Sequence, residues 1–276
     1  MPDAKRKPEF ANPPVAEVAL SAQFAPLAGL HAAHMGILWS LFRDQFPNTE
    51  EQLPLPRIME RFEKPEPPVL KFQVEPAPLV PRCWFFNPDG SQLIQIQNDR
   101  LIHNWRKLAN PATYPRYRNL RTAFERNLRM FEEFVNREGL GTFRPDQCEL
   151  TYIDHIEPGT QWKNFDDAHR VFRVWGEPAK DYLDLPSESV TFDVKYVLPG
   201  SDGKAVGRLH VTAKPVYRLS DRMPMFLMTS VGRGAPLGDG VEGVLRFLDV
   251  AHDWIVRAFM AVTTDAMHAQ WGLRNA

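Results

Sequence analysis

The chain has 276 residues, 43% of them hydrophobic and 24% charged, enough apolar material for one large core or two smaller ones and too much for a disordered polymer. Its 33 basic and 34 acidic residues leave a net charge of -1, so any attraction for nucleic acid or an anionic membrane has to come from local clusters. Cys83 and Cys148 are too few for a disulfide framework, no apolar region follows MPDAKRKPEF, and no run approaches the roughly 18–20 apolar residues of a membrane span, so a cytoplasmic protein without membrane contact is expected.

Residues 1–12, rich in Pro and Lys, read as a flexible tail. In PPVAEVALSAQFAPL the residues Val18, Leu20, Ala22 and Phe24 alternate with Glu17, Ser21 and Gln23 in the period of a half-buried strand, and the prolines before them keep its start extended. From His31 to Phe46 the spacing of His34, Ile37, Leu38, Leu41 and Phe42 follows a helix face. Residues 47–68 carry several prolines and acids and predict a surface loop with at most a short helix near Arg57–Phe62. VLKFQVEP and RCWFFNPDGSQLIQIQNDRLIHNWRKL then supply three or four short alternating runs. Asn87-Pro88-Asp89-Gly90 marks a hairpin turn, because Pro presets a negative φ and Gly accepts a positive one. The helix after YPRY runs to Glu138, with Leu120, Phe124, Leu128, Phe131 and Val135 on one stripe and Gly139 as its stop.

From Gln147 the order begins again. QCELTYIDHIEPG predicts a strand, and DDAHRVFRVW a short helix with Asp166 as a cap. SVTFDVKYVL, GRLHVTAKPVYRL and PMFLMTSVGRG predict three more strands, with Asp202-Gly203 as a turn. A last helix from Val241 to Trp271 carries Val244, Leu245, Leu248, Ile255, Phe259 and Val262 toward the core. The fold class expected is α+β, with two similar lobes at 13–140 and 141–276, each built as strand, helix, antiparallel meander and long helix. One long curved sheet gripping the final helix would use the same elements.

Several segments together resemble a sporadically distributed, uncharacterised bacterial protein family: NPPVAEV, LWSLFRDQFP, IQIQNDRLIHNWRK, YPRY, ELTYIDHI and a closing helix that ends in Trp-Gly. The matching positions are Pro13, Pro14, Glu17, Gln95, Gln97, Asn104, Trp105, Arg106, Tyr114, Pro115, Tyr117, Tyr152, Ile153, Trp271 and Gly272, so the resemblance covers nearly the whole chain. Asp154 departs from it, since similar proteins usually carry Asn there. The patchy occurrence of such proteins implies an accessory gene product, of the defence or toxin-antitoxin kind, and the resemblance carries no activity.

Between Asp99 and Met130 eight basic residues, Arg100, Arg106, Lys107, Arg116, Arg118, Arg121, Arg126 and Arg129, face two acidic ones, Asp99 and Glu125. With Trp105, Tyr114 and Tyr117 among them, the set suits phosphate pairing and base stacking, or an acidic protein partner. It equally suits a solvated helix face paired with the acidic loop at Glu50, Glu51, Glu60 and Glu63. Trp105 reads as core or as a strand-end anchor, while Arg106 and Gln97 are placed to share a pocket mouth with Tyr152 and Asp154. Asp249, His252 and Asp253 converge on one helix face, and Asp265 with His268 repeats the spacing. Without HExxH or paired CxxC, structural histidines are preferred and no metal or cofactor is expected. Neither GxSxG nor a phosphate-cradling GxxxxGK[ST] occurs; Glu17 and Glu149 would form a pair of carboxylates if the lobes were related by a pseudo-twofold axis, and the preferred reading makes them edge-strand polar residues.

The reading that follows is a non-catalytic binding module that meets a partner protein, or nucleic acid, through Gln97, Asn104, Trp105, Arg106, Tyr114, Arg116, Tyr117, Arg121, Tyr152 and Asp154. The alternative is a small-ligand enzyme with a pocket between sheet and helices, using Tyr152, Asp154 and Arg106.

Overall fold

A computed structural model describes residues 8–62, 80–108, 113–176, 183, 185–200 and 202–275; the expected VLKFQVEP run and residues 1–7 of the expected tail lie outside them. The first half contains β1 (Glu9–Phe10), β2 (Val15–Phe24), α1 (Ala32–Phe42), β3 (Asn48–Gln52), β4 (Arg82–Phe86), β5 (Gln92–Gln97), β6 (Arg100–Arg106) and α2 (Tyr117–Arg137). After it come β7 (Pro145–Ile156), a 3-10 turn at Phe165–Asp167 running into α3 (Ala168–Val171), β8 (Phe192–Pro199), β9 (Ala205–Tyr217), β10 (Pro224–Gly234), α4 (Gly240–Val262), α5 (Asp265–Gln270) and β11 (Leu273–Asn275). The protein is α+β.

Among the described residues nine strands form one antiparallel sheet in the order β3-β4-β5-β6-β2-β7-β10-β9-β8. Its centre is the pairing of β2 with β7, where Leu20 lies opposite Leu150 and Ala22 opposite Cys148. The sheet therefore continues without a break across residue 140, and the strands of both halves share one core.

Because side chains alternate across a strand, one row of partners defines one face. The row through Leu20 runs Phe85, Ile94, His103, Leu20, Leu150, Gly232 and Leu209. Both long helices cover this face. On α2, Leu120, Phe124, Leu128, Phe131 and Val135 are all at most 2% exposed, and Asn127 donates from Nδ2 to His103 Nδ1 at 3.0 Å. On α4, Val244, Leu248 and Ala251 are fully buried. Gly232 allows that close approach, since a Cβ there would lie 2.7 Å from the Ala251 Cβ. Gly139, at φ +64°, ends α2 in the left-handed conformation that costs glycine least.

Several expectations are corrected. The buried face of α1 is Met35, Leu38 and Phe42, while Ile37 is exposed. Residues 48–52 form an edge strand and not part of a loop, while 57–62 carry neither helix nor strand, in keeping with a loop there. β3 escaped detection because NTEEQ has no apolar alternation, and its charge suits a solvated sheet edge. The cap before α3 is Asn164, which accepts from the Asp166 N–H at 3.1 Å, while Asp166 itself accepts from the Ser187 N–H at 2.7 Å.

The closing helix divides at Thr263, which leaves helical geometry at φ -98°, ψ 156°. There Thr263 bridges Phe172, and Thr264 donates its N–H to the Val171 carbonyl and caps α5. The chain start is also anchored: β1 pairs with β11, and Phe10 is 7% exposed among Phe259, His268 and Trp271. Among the described residues no helix is long and apolar enough to cross a membrane.

Candidate functional site

The alternation of β6 and β7 decides which residues can meet. Trp105 shares the helix-covered face with Val18 and Tyr152, whereas Asn104 and Arg106 point the other way. Tyr152 and Asp154 extend the row of Cys148 and Leu150 toward the chain termini, where α2 begins and α4 passes overhead.

Here a cavity of about 320 Å³ opens between the N-terminal segment, the start of α2 and the middle of α4. Its walls include Phe10, Pro14, Tyr114, Tyr117, Tyr152, Asp154, His252, Ile255 and Phe259, with Arg116 and Arg118 also lining it. A hydrogen-bonded chain crosses one wall. The Tyr114 and Tyr152 hydroxyls lie 2.8 Å apart, and the Tyr152 hydroxyl is 3.2 Å from His252 Nδ1. Tyr117 stacks on the His252 ring at 3.9 Å and 10°, and its hydroxyl donates to Asp249 Oδ1 at 2.9 Å, which Arg121 Nε also holds at 2.8 Å. Trp105 supports Tyr114 from below, with ring centroids 5.4 Å apart.

Asp154 differs from the polar groups around it. It is 3% exposed, and among the described residues no hydrogen bond or ion pair engages its carboxyl. Burial alone raises its pKa from 3.8 to about 7. Burial also lifts the Tyr114 hydroxyl to about 12 and drives Tyr117 and Tyr152 upward, so all three tyrosines are neutral donors and acceptors near pH 7. The rim is strained as well: Arg116, the residue before α2, sits at φ +69°, a region that costs a side-chain-bearing residue about 1–3 kcal/mol. Its guanidinium donates to the Phe10 carbonyl at 3.0 Å and lies over Tyr114.

The structure thus gathers Trp105, Tyr114, Arg116, Tyr117, Tyr152 and Asp154 at or beside one cavity, with Arg121 reaching it through Asp249. Gln97, Asn104 and Arg106 lie on the opposite face. Asn104 accepts from Gln95 at 2.7 Å and donates to Glu17 at 2.6 Å, Arg106 donates to the Gly90 carbonyl at 3.3 Å, and Gln97 holds the Leu55 backbone. Glu17 and Glu149 do not pair: their register places them four residues apart along the strands, and Glu149 binds Arg233 at 2.6 Å.

Two arginines of α2 pair within the helical layer, Arg121 with Glu125 and Asp249 and Arg129 with Glu125 and Glu242, and among the described residues no α2 arginine pairs with Glu50, Glu51 or Glu60. Glu63 lies outside the described residues. Phe10 and His252 are pocket members that the sequence reading missed. His252, read from the sequence as a structural histidine, places its ring in the tyrosine chain, and among the described residues no three His, Cys, Asp or Glu side chains are arranged to hold a metal ion. No family model, curated protein or solved structure matches the chain.

Proposed function

We propose that the protein binds a small ligand in the cavity over Tyr152 and Asp154, and that the ligand is a mostly apolar molecule carrying a protonated amine. The supporting observation is Asp154. A carboxyl placed by strand register in a row of apolar residues costs several kcal/mol when it ionises without a partner. An ammonium group supplies that partner, and the aromatic walls suit both the cation and the apolar body attached to it. Tyr152 and His252 then fix orientation, because the Tyr152 hydroxyl has one proton to share between two neighbours and the chain must run in one sense at a time.

The test is isothermal titration of primary amines against alcohols of the same carbon skeleton, with the wild-type chain and Asp154→Asn. The amine should bind the wild type in preference to the alcohol, and the substitution should weaken it by at least about 30-fold, the loss expected when a buried charge pair worth 2 kcal/mol or more is broken. Equal binding of amine and alcohol, or an amine affinity indifferent to the substitution, refutes the reading. A protein partner remains part of the picture, but on the other face of the sheet.

A further inference from the structure

The face of the sheet opposite the helices carries a cross-strand row of three amides and a guanidinium, Gln97, Arg100, Gln23 and Gln147, contributed by β5, β6, β2 and β7 in spatial order. The segment 55–60 crosses the row, meeting β5 at Leu55, β6 at Pro56, β2 at Ile58 and β7 at Glu60. Gln97 accepts from the Leu55 N–H at 2.9 Å and donates to the Leu55 carbonyl at 3.0 Å. Gln23 does the same for Ile58, at 3.0 and 3.1 Å. Arg100 donates to the Pro56 carbonyl at 2.9 Å, and Gln147 accepts from the Glu60 N–H at 3.0 Å. The dimensions agree: five residues of extended chain span about 16 Å and three inter-strand steps about 14 Å.

Beyond the row, the Glu60 carboxylate, 7% exposed, is gathered by Arg208, His210 and Arg233 on β9 and β10. Little apolar burial holds the segment down, for Ile58, Met59 and Phe62 remain 39, 46 and 43% exposed. Its grip is on backbone groups that every peptide has, plus two side chains: the Glu60 carboxylate and the Arg57 guanidinium, which pairs with Asp99 and Asp146. The row is also not fully used, because among the described residues Gln147 Nε2 is buried without a partner where Gln97 and Gln23 each bind a carbonyl.

We propose that this face is a recognition groove for an extended peptide of a partner protein, a peptide with Glu two residues after the second clamped position, and that segment 55–60 fills the groove from the same chain until it is displaced. Paired amide clamps recognise the main chain as sheet edges do in β-strand addition, and the cation cluster supplies the side-chain selection. A partner peptide that offers a carbonyl to Gln147 gains a hydrogen bond that the resident segment does not make.

The test uses the full chain with Glu60→Ala, which releases the segment at its one deeply held side chain, and a fluorescein-labelled peptide of residues 53–62 followed by anisotropy. The peptide should bind the variant one to one and at least about tenfold more tightly than the wild type, whose own segment competes at a millimolar effective concentration. Binding should vanish when the peptide carries Ala in place of its Glu, or when Gln23→Ala is added to the protein. Should Glu60→Ala fail to fold, Arg57→Ala loosens the same segment at its ion pairs with Asp99 and Asp146, where Arg57 is 32% exposed. A folded variant of either kind that ignores the peptide, or that forms dimers in its place, overturns the proposal.

Discussion

Asp154→Asn is the most informative single substitution in the protein. A carboxyl whose folded pKa lies at about 7 instead of 3.8 keeps its proton in the native state while the unfolded chain has already released it. The native state therefore binds more protons between these values, and stability falls as pH rises through the window. Below pH 3.8 the contribution is whole; above pH 7 it is gone. At 1.36 kcal/mol per pH unit the loss amounts to roughly 4 kcal/mol, a large part of the 5–15 kcal/mol typical of a folded domain. Asn has the same shape and does not ionise, so the variant should gain on the wild type by that order at pH 8 and match it near pH 4. Urea unfolding of both proteins across pH 4–8.5 measures the difference, and other titrating groups cancel in it. Parallel curves would mean that Asp154 is paired or solvated, and with that result the cavity would lose its reason to recruit a cation.

Two further predictions rest on other buried groups. His103 is fully buried, accepts from Asn127 at Nδ1 and so donates from Nε2 to Gln92 Oε1 at 3.1 Å; burial lowers its pKa to about 4. Its imidazole resonances should stay in the neutral position until pH approaches 4, and stability should drop by up to roughly 3 kcal/mol as pH falls from 6.5 to 4, the opposite sign to Asp154; a midpoint near 6.5 would refute the burial argument. Phe10→Ala removes a ring packed against Phe259 and Trp271 at 5.6 and 6.1 Å, and should cost about 3 kcal/mol in urea unfolding while loosening the β1–β11 pairing; a change under about 0.5 kcal/mol would show that the pairing adds nothing.

Much of this architecture was legible because local chemistry and tertiary context agree. The alternation of Val18 through Phe24, the stripe from Leu120 to Val135 and the Gly139 stop each encode an element and its buried face in one pattern. Disagreement arose where burial is achieved by polar contact. Segment 55–60 looks like a solvent-exposed loop, since its prolines and charges give no period, yet its ties to Gln23, Gln97 and Gln147 come from strands distant in sequence. The break at Thr263 has the same character, as the pairing with Phe172 overrides an otherwise continuous helical stripe. For the site, counting alternate residues from Trp105 would have sent Asn104 and Arg106 to the far face and kept Tyr152 and Asp154 together. Nothing local announces that His252 and Phe10 join them.

The pairing of β2 with β7 also sets a timetable for synthesis. β2 leaves the ribosome with a central edge that only β7 satisfies, and β7 ends about 130 residues after Phe24, so that edge stays open until the whole first half and α2 have been made. The far edge of β7 waits for β10, whose last residue is Gly234, about 80 residues after Ile156 and hence about 4–16 s later at ordinary translation rates. During that interval Tyr152 and Asp154 stand on a half-open strand without α4 above them. The cavity is among the last features to close, and a nascent chain stalled before residue 224 presents an adhesive strand edge and no binding site.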